Sequence, residues 1–490
     1  MITVTNETML QFFEWYLPDD ARHWRRVAEA AESLSQAGIT SVWLPPAYKG
    51  AGGIHDVGYA PYDFYDLGEF MQKGTIPTKY GPKEDYLEAA GQLQAFGIKV
   101  YADIVFDHMM GADETEVISA EKNSFTDRTK TVEGPREIVA WTRFTYPGRA
   151  GTYSDFVWDR RCFSGVDWDQ RQKEHAIFEF ENKDWDEKVD REHGNFDYLM
   201  GANLDMDDPR VVAELDHWGR WYLETCGLDG FRLDAVKHIN FPFFISWLGN
   251  RRKEAGKRLF AVGEYWHNDI RALTNYLDAS GNLMHLFDVP LHYNLCRASN
   301  SNGEFDMRML FEKTLADERP SWAVTFVDNH DTQPGQSLSS WVGGWFKLHS
   351  YALILLRREG IPCVFYGDLY GIPTAGIQPV GAGLYRLLKV RRHLAYGEQI
   401  DYLDHPDLAG WVRTGDEEHP LSGLAVVLTN RTGGSKKMCI GAWFAGRTFV
   451  DLLGHRSDRI VIGEDGNGEF PVNDGSVSIW GQEGALDYLA

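Results

Sequence analysis

Residues 228–238 read Leu228-Asp229-Gly230-Phe231-Arg232-Leu233-Asp234-Ala235-Val236-Lys237-His238. Apolar and polar side chains alternate along the stretch, the pattern of a strand buried on one face. Arg232 and Asp234 stand two apart and so point to the same side, because strand side chains alternate with period two. A guanidinium beside a carboxylate favours its ionised form and orients it, which is what a carboxylate nucleophile needs. The competing reading is an ion pair that only closes a strand end. Lys237 and His238 follow at once, so an arginine, an aspartate, a lysine and a histidine crowd one strand end.

Working outward, strand-like and helix-like runs take turns on both sides of this stretch. Strands are predicted over 9–17, 39–44, 98–106, 228–236, 259–266, 283–291, 323–330 and 361–367. Helices are predicted over 22–37, 83–96, 209–226, 243–255, 269–279, 307–317, 345–358 and 384–393. The first helix carries Trp24, Val27, Ala31 and Leu34 at helical spacing and stops at Gly38. Eight such units predict an α/β fold, a (β/α)8 TIM barrel whose site lies at the C-terminal ends of its strands.

The alternation breaks between Asp107 and Asp208, a polar stretch rich in Asp, Trp, Gly and Arg with short strand-like pieces. A stretch of that length exceeds a loop and predicts an inserted, irregular β-rich domain after strand 3. Beyond Tyr396, strand-like runs at 424–428, 448–452, 460–462 and 477–480 between Gly- and Asp-rich turns predict a C-terminal antiparallel β-sandwich. The expected division is 1–106 with 209–396 for the barrel, 107–208 for the insert and 397–490 for the tail.

Composition narrows the partner. The net charge of −23 argues against nucleic acid and anionic membrane surfaces, and favours a neutral ligand or divalent cations. The 17 Trp, 22 Tyr and 27 Phe exceed what a core needs and suit flat ligands such as sugar rings. No apolar run is long enough to span a membrane. The first residues lack the basic and apolar regions of a signal peptide, and the five cysteines are scattered, so free thiols and a cytoplasmic setting are expected, with a monomer as the working unit.

Collecting polar residues at the predicted strand ends assembles a site. Strand three ends in Asp103, Asp107 and His108, the fifth in Glu264-Tyr265-Trp266, and the seventh in Asp328-Asn329-His330-Asp331. Asp234, Glu264 and Asp331 come from three strands and converge on one mouth. One ionised and one protonated carboxylate flanking a bond is the requirement of glycoside hydrolysis.

Four segments carry a resemblance. Asp103-Ile-Val-Phe-Asp-His108, Gly230-Phe-Arg-Leu-Asp-Ala-Val-Lys-His238, Gly263-Glu-Tyr-Trp266 and Phe326-Val-Asp-Asn-His-Asp331 resemble the four signature regions of the alpha-amylase family of glycoside hydrolases. Gln11-Phe-Phe-Glu-Trp-Tyr16, Asp56-Val-Gly-Tyr-Ala-Pro-Tyr-Asp63 and Phe287-Asp-Val-Pro-Leu-His-Tyr293 are similar to the liquefying bacterial type, and the likeness runs from about Met9 to Trp480. The resemblance implies that Asp234 is the nucleophile, Glu264 the general acid/base, and Asp331 a grip on ring hydroxyls. It implies that Arg232 keeps Asp234 ionised, that His108 and His330 bond the cleaved sugar and Tyr59 stacks on it, and that Lys237, His238 and Trp266 also line the substrate path.

The resemblance further implies a calcium ion held by Asp107, Asp197, Asn203 and the His238 carbonyl, oxygen ligands of the kind a hard cation takes. The family commonly has Asn where Asp107 stands and Asp where Asn203 stands; here the two are exchanged. Asp167, Asp186, Asp205 and Asp207 resemble a second metal cluster, with Ser164 where another aspartate is usual. Gly303, Phe305, Asp407 and Asn430 mark a third such place. The implied activity is endo-hydrolysis of α-1,4-glucosidic bonds in starch, glycogen and maltodextrins with retention. Alternatives are a maltooligosaccharide-forming amylase, an α-glucan transferase, or an inactive glucan-binding barrel, which the presence of Asp234 and Glu264 disfavours.

Overall fold

The computed structural model describes residues 6–489. Eight parallel strands close into a barrel: β1 Met9–Gln11, β2 Ser41–Leu44, β3 Lys99–Ile104, β4 Gly230–Leu233, β5 Phe260–Gly263, β6 His285–Phe287, β7 Ala323–Phe326 and β8 Ile361–Phe365. Each pairs with its sequence neighbour, and β8 returns to pair with β1. The strands are nearly continuous apolar runs, as expected where helices cover the outside and side chains fill the inside. Register decides the site: Arg232 lies beside Asp103 on β3 and beside Val262 on β5.

The outer helices form where apolar residues recur at helical spacing. His23–Ala37 buries Trp24, Val27, Ala31 and Leu34 and ends at Gly38, whose φ of 99° lets its amide turn back to the carbonyls of Leu34 and Ser35. Pro209–Cys226 starts under an Asp208 cap with proline in its first turn, and buries Val211, Leu215, Trp218 and Tyr222.

Four departures from the sequence reading bear most on the fold, besides the strand over 228–236 ending at Leu233 and four further strands in the tail, Gln399–Tyr402, Leu408–Arg413, Gly434–Cys439 and Asn467–Val472. The run 283–291 is a strand only over His285–Phe287. Asp288 then caps the Leu291 amide and opens a helix, Val289–Asn300, with proline in its first turn. The pairing of a capping aspartate with an early proline is a helix start, and it outweighed the apolar run. The predicted helix over 307–317 is two short pieces, Met307–Met309 and Leu315–Glu318. The strand expected over 9–17 stops at Gln11, and the rest is the loop that carries Trp15.

The fourth departure is the insert, which is more regular than its polar composition suggests. Six strands form one sheet in the order His108–Met109, Ala202–Leu204, Phe163–Asp169, Glu174–Phe180, Glu114–Asn123, Thr131–Arg143. The last two make a long hairpin whose outer face is solvated, so alternation there is diluted by exposed charge. The tail holds a six-stranded antiparallel sheet and a separate two-stranded antiparallel sheet, Gly434–Cys439 with Asn467–Val472, around Val412, Val427, Phe449, Phe470 and Trp480. All five cysteines are free.

Candidate active site

Three backbone hydrogen bonds carry the barrel ladder up to the acids. The Asp234 amide donates to Ile104 O at 2.9 Å, the Glu264 amide to Leu233 O at 2.9 Å, and the Val236 amide to Glu264 O at 3.1 Å. Between them Ala235 sits in the left-handed region at φ 49°, a strained setting for a residue with a Cβ that the surrounding rungs impose. The turn it makes lifts Asp234 to the barrel mouth.

Arg232, fully buried, is the hub. One terminal nitrogen donates to Asp103 at 2.8 Å and to Asp234 at 2.5 Å, and the other pairs with Glu264 at 2.8 Å. Asp103 is held by two further donors, the Tyr59 hydroxyl at 2.6 Å and the Trp43 indole at 3.0 Å. Three carboxyl groups on one guanidinium cannot all ionise at ordinary cost, because burial penalises each charge. Burial accordingly pushes Glu264 up, with Arg232 opposing and Asp234 adding to the rise. Asp331 is driven well above the carboxylate range by burial and then by the Glu264 charge. Asp234 is also raised by burial, with Arg232 the chief opposing influence. Among Asp234, Glu264 and Asp331, its 2.5 Å contact to that cation makes Asp234 the best placed to stay ionised.

A flat aromatic floor lies beside the acids. The rings of Tyr59 and His330 stack at 4.9 Å, and Trp15 lies parallel to both, 4° from Tyr59 and 11° from His330. His330 Nδ1 meets the Gln11 amide at 3.0 Å, and its Nε2 faces Asp331 at 3.2 Å. Glu14 and Gln333 clamp the Trp15 loop: the Trp15 amide donates to Gln333 Oε1 at 3.1 Å, and the Gln333 amide donates to Glu14 at 3.1 Å. His108 Nε2 meets the Tyr59 carbonyl at 2.9 Å, Lys237 donates to Glu192 at 2.9 Å and to Trp266 O at 3.0 Å, and the Trp266 indole donates to Tyr293. Asp234, Glu264, Asp331, Tyr59, His108, Lys237, His238 and Trp266 all line one cleft of about 710 Å³.

Trp15, Glu14, Gln333 and Glu192 join the site residues expected from sequence. The parallel stacking of Trp15 is what gives the Gln11–Tyr16 motif a use. Glu192 lies in the polar insert and carried no signal of its own.

The expected calcium ligands meet where the insert joins the barrel. Asp107 Oδ1 and Asn203 Oδ1 are both buried without a hydrogen-bond partner. The Asn203 side-chain nitrogen donates to Ser164 at 2.8 Å and to Asp197 at 3.0 Å. Burial, then the charges of Asp186 and Asp107, push Asp197 well above the carboxylate range. His238 is fixed by its Nδ1 contact to the Phe196 carbonyl at 2.6 Å. Orphaned oxygens on Asp107 and Asn203 beside the buried Asp197 carboxyl suit a hard, oxygen-loving cation.

The second set is less concerted. Asp205 is paired with Lys183, Asp207 is exposed, and Asp167 accepts from the Gly201 amide at 3.3 Å. Asp186, raised to about 6 by burial and by its acidic neighbours Asp207 and Asp205, accepts from Asn240 at 2.8 Å. At the third place the chain's own donors take the carbonyls. Asn430 donates to Gly303 O at 3.2 Å and to Phe305 O at 2.7 Å, and Arg431 Nε donates to Gly303 O at 2.7 Å. These donors occupy two of the oxygens a metal would use, while Asn430 Oδ1 stays buried without a partner.

Among the described residues, Asp190, Glu192 and His267 are spaced closely enough to share an ion. Their bonding opposes it. His267 Nδ1 accepts from the Asp269 amide at 2.9 Å, so the neutral ring carries its proton on Nε2, while Lys237 holds Glu192 and Tyr265 donates to Asp190.

A parallel barrel with an arginine-centred cluster of carboxylic acids at its C-terminal mouth defines a glycoside hydrolase of the paired-carboxylate kind. The comparisons are specific. Residues 18–379 match the family described as "Alpha amylase, catalytic domain" and 424–481 match "Alpha-amylase C-terminal". The chain is 55% identical over 477 residues to the alpha-amylase of Geobacillus stearothermophilus, covering 97% of this chain and 87% of that one. It is 44% identical over 489 residues to the cytoplasmic alpha-amylase of Escherichia coli (strain K12), covering 97% and 98%. An Anoxybacillus alpha-amylase crystal structure shares the fold with a TM-score of 0.66 at 17% identity, over 98% of this chain and 97% of that one. The chain belongs to the alpha-amylase family.

Proposed function

We propose that the protein hydrolyses internal α-1,4-glucosidic bonds of starch, glycogen and maltodextrins with retention of configuration. The observation that carries this reading is Arg232 joining the Asp234 and Glu264 carboxylates across one cleft. Asp234, ionised against the guanidinium, attacks the anomeric carbon and forms a glycosyl-enzyme ester. Glu264, kept protonated by burial, donates its proton to the departing glycosidic oxygen and then removes one from the water that hydrolyses the ester. Asp331, with His330 and His108, bonds hydroxyls of the sugar being cleaved, and Tyr59 and Trp15 stack beneath it. Lys237, His238 and Trp266 line the leaving-group side.

Calcium is the cofactor of this reading, held by Asp107, Asp197, Asn203 and the His238 carbonyl; it would lock the insert onto the barrel end that carries His238. Asp186, Asp205 and Asp207 are the second metal's ligands if one binds. The working division remains 1–106 with 209–396, 107–208 and 397–490, acting as a cytoplasmic monomer. The test is proton NMR of the first products from maltoheptaose: α-configured new ends support the mechanism, and β-configured ends refute it.

A further inference from the structure

Directly beyond the cleft, between the ends of β7 and β8, lies a buried ion cluster that the mechanism does not use. Lys347, on the helix Lys347–Leu356, pairs with Asp328 at 2.6 Å and with Asp368 at 2.7 Å. Its ammonium stands 3.4 Å from the centre of the Trp341 ring. All three charged side chains are almost fully buried. Asp368 also accepts from the Tyr351 hydroxyl at 2.6 Å, and Asp328 from the Val342 amide at 3.2 Å. Removing this much charge from water is costly, and one ammonium only partly offsets two carboxylates. Such a cluster is poor material for stability alone.

Its connections lead to the active site. The Thr332 hydroxyl donates to Asp328 at 2.8 Å and accepts from the Asn329 amide at 3.0 Å. The Asn329 side-chain oxygen in turn accepts from the amides of Asp331 and Thr332, each at 2.9 Å. The turn that presents Asp331 is therefore hung from Asp328, and Asp328 is held by Lys347. Burial, opposed chiefly by Lys347, already lifts Asp328 to about 7, so loss of the ammonium favours the protonated carboxyl, a weaker acceptor for the Thr332 hydroxyl.

We propose that Lys347 is a positioning residue for Asp331, acting through Asp328, Thr332 and Asn329 to hold that carboxyl in the geometry the transition state requires. The proposal rests on the hydrolytic reading above. An Asp331 that tightens its grip only as the sugar distorts contributes to kcat more than to ground-state binding. Displacing it by even an ångström lowers turnover with little change in KM.

The test compares Lys347→Met, Lys347→Arg, Thr332→Val and Leu353→Ala on maltoheptaose. Leu353 is a core residue of the same helix without polar contacts and serves as the stability control. Lys347→Met should lose about tenfold or more in kcat with KM changed less than about twofold, the signature of a transition-state interaction. Lys347→Arg should recover most of the loss, and Leu353→Ala should lower Tm while leaving kcat near wild type. Thr332→Val removes the hydroxyl that links Asp328 to Asn329 while leaving Lys347, Asp328 and Asp368 in place, and should reproduce the kcat loss, so the proposal stays testable if Lys347→Met does not fold. Equal kcat losses in the control and in Lys347→Met, or an unaffected Thr332→Val, would overturn it. Failure of the wild type itself to cleave maltoheptaose would instead refute the hydrolytic reading.

Discussion

The side-chain nitrogen of Asn203 donates to Asp197 at 3.0 Å, while the Asn203 oxygen lies buried without a partner. That oxygen and Asp107 Oδ1 are the ligands a cation would claim, and the exchange of Asn and Asp between these positions keeps one carboxylate in the pair. Asp107→Asn leaves two amides, so calcium should bind more weakly and Tm should fall further as chelator is added. Adding Asn203→Asp should recover much of the loss. Calcium titration of wild type, Asp107→Asn, Asn203→Asp and the double variant checks this, and strictly additive losses would remove the shared-ion argument.

Asp234→Asn removes the nucleophile but keeps volume and neutral hydrogen bonding to Arg232. Turnover should fall by on the order of 10⁴-fold or more, with near-UV circular dichroism unchanged. A variant retaining a tenth of wild-type activity would exclude Asp234 as the attacking group.

The pH profile should be bell-shaped, with both limbs set by the acids around Arg232. Activity falls with acid as Asp234 takes up a proton, and falls with alkali as Glu264 loses the one it must donate. Because burial raises Glu264, the alkaline limb lies above the ordinary glutamate range. Lys237 is among the charges that lower Glu264. Lys237→Gln should therefore move the alkaline limb to higher pH; a shift to lower pH would contradict this assignment.

Arg431 and Asn430 take the carbonyls of Gly303 and Phe305 at the junction of barrel and tail. Arg431→Ala leaves Gly303 O with its 3.2 Å bond from Asn430 and should cost about 0.5–1.5 kcal/mol of stability, the net worth of one hydrogen bond. The loss should be the same with calcium and with chelator, and kcat should not change. A calcium-dependent loss would return a metal to this junction.

Local pattern made much of this molecule legible. Alternation at period two and recurrence at 3.6 residues are set by backbone geometry, so the barrel units could be read around Arg232 and Asp234 and along Trp24, Val27, Ala31 and Leu34. The three acids could be named because a barrel brings its strand ends to one mouth. Where the reading failed, two local signals competed: the apolar run at 283–291 hid the Asp288 cap and early proline, and exposed charge on the insert hairpin blurred its alternation.

What the chain by itself determined was which residues stand at strand ends and which faces are buried. Only the tertiary structure decided that Arg232, set beside Asp234 by strand alternation, also reaches Asp103 and Glu264, that Trp15 stacks over Tyr59 and His330, and that Lys347 reaches Asp331 through Asp328. Those contacts join residues tens to hundreds of positions apart. They depend on barrel register and closure, which fix the separation and direction of side chains that no local pattern relates.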